Sequence, residues 1–305
     1  GEWTPVQVAG LAVALRMLGE QPEVIAAAAG SLRAAMVPVE HGLVRVLDTC
    51  GTGGDGLGTW NVSTATAFVV AGAGVPVAKH GNRAVSSRSG SADVLEALGV
   101  SLDVEAGRQA AILRDTGVAF LFAPAHHPAM KHGGVARREL GIRTLFNALG
   151  PLANPARATH QLLGAYDDAL RPVLAATLAA LGTEGAWVVR GEDGLDEVSP
   201  CGPTRVSVLR AGNVEERTVH PEDFGLPVLA RDALLGGDRD DNARMIVAVL
   251  EGEPHPARDA VVLNAAAALA DALDVAPKEA RERAEESLAS GRARKALAGL
   301  VAATR

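Results

Sequence analysis

The chain is poor in cysteine, with two in 305 residues, Cys50 and Cys201. Two thiols argue against a disulfide scaffold and are too few for a zinc site without other ligands; they fit reduced thiols in a cytoplasmic protein. Long hydrophobic runs are also missing. The most apolar stretch, "ATAFVVAGAGVPVA", is short and broken by Gly and Pro, so it is not a membrane span. Excess positive charge is missing as well. The formal net charge is -7, which argues against the sequence-independent phosphate grip of a nucleic-acid binder. No basic start followed by an apolar core marks a secretory leader. The absence of an initiating Met suggests first residues that are trimmed or not included. What is present suits a globular chain. Hydrophobic residues make up 48% and charged residues 21%, enough for one large domain, or a large one plus a small one.

The chain opens on helices. In "TPVQ", Thr4 is an N-cap, Pro5 the first helical residue and Gln7 the partner of a capping box. Val8, Leu11, Leu15 and Leu18 follow at helical spacing. A second short helix spans about 23–33, and two such helices must pack on something else to bury a core. From Val44 the rhythm becomes strand, glycine loop, helix, strand. "VRVLD", "VPVAK", "VAFLFA", "QLLGAY" and "GAWVVRG" read as strands, with helices between them. Ser91 is read as the N-cap of "SADVLEALG". "TRVSVLR" and "VEERTVH" read as a hairpin around Gly212-Asn213. The section 125–155 has no strand character. The pattern predicts an α/β fold: a small all-helical domain, 1–43 joined by 125–155, and a large α/β domain, 44–124 and 156–305, with a mostly parallel central sheet.

Three stretches carry chemistry. The first is "CGTGGDGLGTWNVST", where Gly51, Gly53 and Gly56 fit GxGxxG between a strand and a helix. A dinucleotide site wants an acid about 20 residues on. None occurs between Asp55 and Asp93, and the second strand ends in Lys79. No Lys-Ser/Thr pair follows the glycines as in a P-loop. The loop therefore reads as a phosphate cradle of backbone N–H groups and a helix N-terminus, outside NAD or ATP. The alternative is a tight turn with no ligand. The second stretch is "KHGNRAVSSRSGSAD", where Lys79, His80, Arg83 and Arg88 stand among hydroxyls and glycines, as a polyanion cradle does. The third is "RGEDGLDEVSP". Beside a pyrophosphate, its adjacent carboxylates suggest Mg²⁺. Glu192-Asp193 and Asp196-Glu197 compete for that role, and the residues alone do not choose.

Together "GTGGD", "NVST", "KHGNRAVSS", "SGSADVLEALG", "RRELGIRTLFNALGPLANP" and "DE" resemble the anthranilate phosphoribosyltransferase family over nearly the whole chain. The resemblance implies a homodimer with the fold of pyrimidine nucleoside phosphorylases, two Mg²⁺ per active site, and the substrates anthranilate and phosphoribosyl pyrophosphate. It implies contacts to phosphoribosyl pyrophosphate from Gly51, Gly54, Asp55, Thr59, Asn61, Val62, Ser63, Thr64, Lys79, His80, Gly81, Asn82, Arg83, Ala84, Val85, Ser86, Ser87 and Ser91. Asp55 would meet ribosyl hydroxyls or orient its loop. Ser63 and Glu197 would hold one Mg²⁺, and Asp196 and Glu197 the other. Gly51, Asn82 and Arg137 would contact anthranilate, Arg137 through the carboxylate, with His126 and His127 lining its approach. No general base is nominated, because an arylamine is already neutral at pH 7. Family members usually carry a further helix or so before the segment at which this chain begins. A nucleoside phosphorylase on the same fold would not need the Asp196-Glu197 pair, and a nucleic-acid-binding relative would want a basic stripe.

Overall fold

The computed structural model describes residues 1–19, 21–53, 56–84 and 88–305. Gly54, Asp55, Val85, Ser86 and Ser87, all assigned above to phosphoribosyl pyrophosphate, lie outside the described residues. The chain starts with α1 (Pro5–Leu18) and α2 (Pro22–Ala34). Thr4 caps α1 as its sequence requires: Gln7 N donates to Thr4 Oγ1 at 3.3 Å, and Thr4 N to Gln7 Oε1 at 2.9 Å. The alternating section follows as β1 (Leu47–Gly51), α3 (Val62–Gly72), β2 (Val77–Gly81), α4 (Ser91–Ala97), α5 (Ala106–Thr116) and β3 (Val118–Phe122). The helices α6 (Ala123–His126), α7 (Gly134–Leu140) and α8 (Leu145–Leu152) interrupt it. It resumes with β4 (His160–Gly164), α9 (Leu170–Ala180), β5 (Gly185–Gly191), β6 (Thr204–Arg210) and β7 (Asn213–Val219). Four helices close the chain: α10 (Arg239–Leu250), α11 (Arg258–Leu273), α12 (Pro277–Ala289) and α13 (Arg292–Thr304).

The strands form a seven-stranded sheet in the order β3-β2-β1-β4-β5-β6-β7. β1 to β5 are parallel, and β6 and β7 run antiparallel as the terminal hairpin. Parallel strands need cover on both faces, and their short apolar runs supply it. On one face Leu47, Val77, Leu162 and Val189 pack with α3, α11 and α13; on the other Leu163 and Val188 pack with α2, α8 and α9. The helices α7 and α8 reach back to α1 and α2, as the strandless section 125–155 suggested.

Three details differ from the sequence reading. β1 begins at Leu47, not Val44, because Val46 N and O are held by Thr159 from the side. α4 is capped at Gly90, with Ser91 as its first residue. The hairpin turn is Ala211-Gly212, both at positive φ, and Asn213 already pairs with Arg210. A fourth finding concerns α1. Its helical apolar spacing is only partly used within the chain, since Val8 and Leu15 are half-buried, Leu11 and Leu18 are exposed and only Ala12 is buried.

α11 is buried along nearly its full length, including Asp271. The Asp271 carboxylate lies against the start of β5, with both oxygens about 3 Å from where a Gly185 side chain would begin, beside His160. Burial pushes this carboxyl up to about 8; Arg210 opposes the rise and Asp274 adds to it. In the unfolded chain it ionises near pH 4. Between those values the unfolded state holds fewer protons, so this group lowers stability as pH rises from about 4 to about 8. Asp271→Asn should therefore raise the melting temperature at pH 8, by on the order of 2 kcal/mol in stability, and leave it near wild type at pH 4. Calorimetry at the two pH values checks this; equal shifts at both would mean that ionisation is not the cause.

Candidate active site at the carboxyl edge of the sheet

From β1 the chain winds outward to β2 and β3, then returns to lay β4 on the other side of β1. The switch point lies between β1 and β4, and ligands of open α/β sheets bind outside the carboxyl ends of the strands there. The glycine loop leaves β1 at that point. Gly53, Gly56 and Gly58 have φ of 68°, 76° and 67°, which side chains rarely allow. Thr52 N donates to Gly164 O at 2.9 Å, and Thr52 Oγ1 accepts from Tyr166 N at 2.9 Å. At the loop's far end Thr59 bridges Leu235, and Gly236 N donates to Gly58 O at 2.9 Å. Asn61 caps α3 in position, bonded to Ser89 O at 3.3 Å and to Asn242 Nδ2 at 3.0 Å. The first turn of α3, with Val62, Ser63 and Thr64, thus points its N-terminus at the switch point, where its dipole favours an anion.

The segment after β5 folds over the same place. Gly51 and Gly164 lie side by side at the ends of β1 and β4, and the chain at Asp196 passes over both. A Cβ on Gly164 would stand 1.6 Å from Asp196 O, and one on Gly51 would stand 2.9 Å from Asp196 Oδ2. Bare backbone at these two positions is what lets Asp196 reach the sheet edge. The rival pair is committed elsewhere. Asp193 accepts from Leu195 N at 3.2 Å and from Ser199 Oγ at 2.7 Å, closing its own turn. Glu192 pairs with Arg205 at 3.3 Å.

Lys79 is buried beneath this edge. Its Nζ donates to Thr49 O and, at 3.2 Å, to Ser63 Oγ. Burial pulls the ammonium below its ordinary value, opposed by Asp48, Cys50 and Glu197. Asp48, fully buried on β1, accepts from His80 N at 3.1 Å and from Asn154 Nδ2 at 2.8 Å. Burial pushes its carboxyl up, and Lys79 is the main opposing charge. Sequence reasoning missed both Asp48 and Asn154. The available signal was a lone carboxylate inside an apolar strand and an Asn before Pro155.

The three histidines named for the site, His80, His126 and His127, are buried. His80 Nδ1 meets Gly150 O at 3.1 Å, and its ring lies 5.1 Å from that of His127. Burial and the neighbouring histidines push His80 down to about 3 and His127 to about 4. His126 is held by Val37 O at 2.8 Å and Gln109 at 3.1 Å, a tie between the helical segments and α5. Around β2's end, Gly81 and Ala84 are partly covered and Asn82 is exposed. Asn82 O accepts from Ala92 N at 3.2 Å and from Ser91 Oγ at 3.4 Å. Arg83 turns away to Asp93 at 3.1 Å and Glu96 at 2.5 Å. Arg137 stands apart on α7, its guanidinium 5.7 Å from the Phe146 ring centroid. Half-buried, it is pulled below its ordinary value by burial, and among the described residues it makes no ion pair.

With this geometry in place, the chain compares closely with known proteins. Its residues 43–294 match the model of the glycosyl transferase family α/β domain, and residues 1–36 that family's helical bundle domain. It is 52% identical to the anthranilate phosphoribosyltransferase of Myxococcus xanthus over 303 residues, covering 99% of this chain and 90% of that protein. The one from Thermomicrobium roseum is 55% identical over 299 residues, covering 96% and 86%. The chain belongs to the anthranilate phosphoribosyltransferase family. Its fold superposes on the family's enzyme from Thermus thermophilus with a TM-score of 0.94 at 44% identity, covering 100% of this chain and 91% of that one. The enzyme from Saccharomyces cerevisiae, solved with phosphoribosyl pyrophosphate and Mg, gives 0.90 at 33% identity, covering 98% and 85%. The same yeast enzyme is also known with 4-fluoroanthranilate.

The residues suit a hard cation of the kind in the yeast complex. Ser63 and the Asp196-Glu197 pair offer only oxygen donors, and Glu197 is near enough to Lys79 to favour its charge. Among the described residues no group of three or more His, Cys, Asp or Glu gathers as a metal site. A cation held here must take further oxygens from a ligand and water, as Mg²⁺ does.

Proposed function

We propose that this chain transfers the phosphoribosyl group of 5-phosphoribosyl 1-pyrophosphate to the amine of anthranilate, giving N-(5-phosphoribosyl)anthranilate and pyrophosphate, in L-tryptophan biosynthesis. The observation that carries the reading is the convergence on one sheet edge of the glycine loop, the α3 N-terminus, Ser63, buried Lys79 and the Asp196-Glu197 segment. The donor would lie across Gly51, Gly54, Asp55, Thr59 and Asn61–Thr64, with His80, Gly81, Asn82, Ala84–Ser87 and Ser91 along the second loop. Ser63, Asp196 and Glu197 would hold two Mg²⁺. When bound, the metal offsets the negative charge that builds on the departing pyrophosphate. The chain's own part is electrostatic. Loop and helix N–H groups face the phosphates, and Lys79 places a cation under Ser63 without touching bulk water.

Anthranilate brings a carboxylate, and Arg137 is a half-buried cation that lacks one among the described residues. Holding that carboxylate, together with contacts from Gly51 and Asn82, turns the amine toward C1 of the ribose. The neutral arylamine needs no base. His126 and His127 would line the approach, and His127 and its neighbour His80, neutral at pH 7, add no charge there. His126 serves the scaffold through Val37 and Gln109.

The two-part division, 1–43 with 125–155 against the rest, is part of the same reading, and so is a homodimer. Trp3, Val6, Leu11, Met17 and Leu18 are exposed on and beside α1, and so many large apolar residues on one short segment suit an interface. A cytoplasmic location belongs to the same reading; both thiols are free, and among the described residues no single helix is long and apolar enough to cross a membrane.

The direct test is loss of anthranilate fluorescence on mixing with phosphoribosyl pyrophosphate and Mg²⁺; no loss would reject the reading. Asp196→Asn with Glu197→Gln should cut turnover by on the order of 10² or more with the circular dichroism unchanged, and wild-type turnover that still requires Mg²⁺ would reject these ligands. Arg137→Ala should raise the KM for anthranilate about 10-fold to 10²-fold and that for the donor far less; an equal rise in both would make Arg137 structural. Sedimentation should give a dimer for the wild type and a monomer after Met17→Glu with Leu18→Glu; a wild-type monomer would remove the interface.

A further inference from the structure

The loop between β2 and α4 begins and ends on one side chain. Asp93 Oδ2 accepts from Ala84 N and from Gly90 N, both at 2.9 Å, so it ties the loop's two ends together. Its Oδ1 accepts from Arg83 Nη1 at 3.1 Å. Glu96 takes the same guanidinium in a two-point grip, at 2.5 and 2.8 Å. The ends meet so closely that a Cβ on Gly90 would stand 2.4 Å from Ala84 N and 2.7 Å from Asn82 O. Asn82 is fixed by the same closure. Its carbonyl accepts from Ala92 N, and its Oδ1 from Arg83 N at 2.8 Å. Burial works against the Asp93 charge, but the two amides and Arg83 outweigh it and hold the carboxyl below its ordinary range.

We propose that Asp93 is the positioning residue of this loop: it clamps Ala84 to Gly90 and takes up Arg83, presenting Asn82 and Ser91 to the phosphoribosyl donor while Arg83 serves the clamp, not the ligand. This rests on the proposed phosphoribosyl transfer. A carboxylate that accepts two backbone N–H groups makes charge-assisted bonds, the strong kind. The Arg83 ion pairs are weaker, because Arg83 is 47% exposed and Glu96 34%, and water screens such pairs. The two parts of the clamp therefore differ in weight. Loss of the carboxylate opens the loop, whereas loss of Arg83 only loosens it. A direct phosphate contact by Arg83 gives the opposite ranking. In Asp93→Asn one amide oxygen remains to accept both N–H groups without the charge.

The test compares Asp93→Ala, Asp93→Asn and Arg83→Ala in steady-state kinetics and in calorimetric titration with phosphoribosyl pyrophosphate and Mg²⁺. Asp93→Ala should raise the donor KM and Kd about 10-fold or more, with a clearly smaller rise in the anthranilate KM, which depends on this loop through Asn82 alone. Asp93→Asn should recover most of that loss, and Arg83→Ala should weaken donor binding about three-fold. A larger donor loss in Arg83→Ala than in Asp93→Ala would overturn the proposal, since Arg83 would then touch phosphate. Equal rises in both KM values for Asp93→Ala would also overturn it, reducing Asp93 to a helix cap. If Asp93→Ala does not fold, Arg83→Ala decides by itself: a loss of about three-fold supports the clamp, and a loss of about 10-fold or more overturns it, since Arg83 would then touch phosphate. A wild type that titrates without binding the donor would reject the phosphoribosyl reading and this loop role with it. A wild type that binds while the variants fail the ranking rejects the loop role alone.

Discussion

One buried carboxylate constrains the centre of this molecule. Asp48 lies on β1, an inner strand of the sheet, with no exposure to water, where a charge is tolerated only when bonded and paired. Its partners come from two separate stretches: His80 N and the charge of Lys79 on β2, and Asn154 after α8. Asn154 is itself fully committed, donating also to Ala78 O at 2.8 Å and accepting from Ala156 N at 2.8 Å. β1, β2 and the end of the helical segment are therefore tied at one point. Two opposite buried charges are weak evidence of stability, since apolar replacements can be as stable. Here their attraction has another consequence: it favours the charged Lys79 ammonium that donates to Ser63 Oγ at the sheet edge.

The site above that pair is shaped as much by missing side chains as by those present. Gly51 and Gly164 leave room for the chain at Asp196 to cross the ends of β1 and β4. The loop glycines allow left-handed backbone where it must turn toward α3. Segment 234–236 clamps that loop through Trp60, Gly58 and Thr59. The result is a preorganised polar edge whose dipoles need little rearrangement when an anion arrives, which is where such sites derive most of their effect.

The helical layer is the complement of that rigid edge. α1 turns apolar residues outward, and α7 holds Arg137 half-buried without a carboxylate among the described residues. Both features are incomplete within one chain. An apolar face asks for a surface and a partly desolvated guanidinium asks for an anion. The layer joins the rest through the packing of α2 and α8 on the sheet and through bonds such as His126 to Gln109, His80 to Gly150 O, and His41 to Ala156 O at 2.9 Å.

Much of this was legible in the residues. The cap at Thr4, the strands "GAWVVRG" and "TRVSVLR" and the glycine loop between strand and helix are local signals, set by residues a few positions apart, and they stand where the sequence placed them. The motifs also sufficed to name the family. Other features were not legible. Nothing near Asp193 in sequence announces that Ser199 will bind it, nor near Arg83 that Glu96 will hold it, nor near Asp48 that Asn154, 106 positions on, will bond it. The apolar spacing of α1 was readable, but not the side it faces. By itself the sequence determined the elements, their alternation and the types of group available for chemistry, because periodicity, caps and turns act over short chain distances. Only the tertiary structure decided which charges neutralise one another and which remain for a ligand. That choice depends on the strand order that brings distant segments to one edge and removes the water between them.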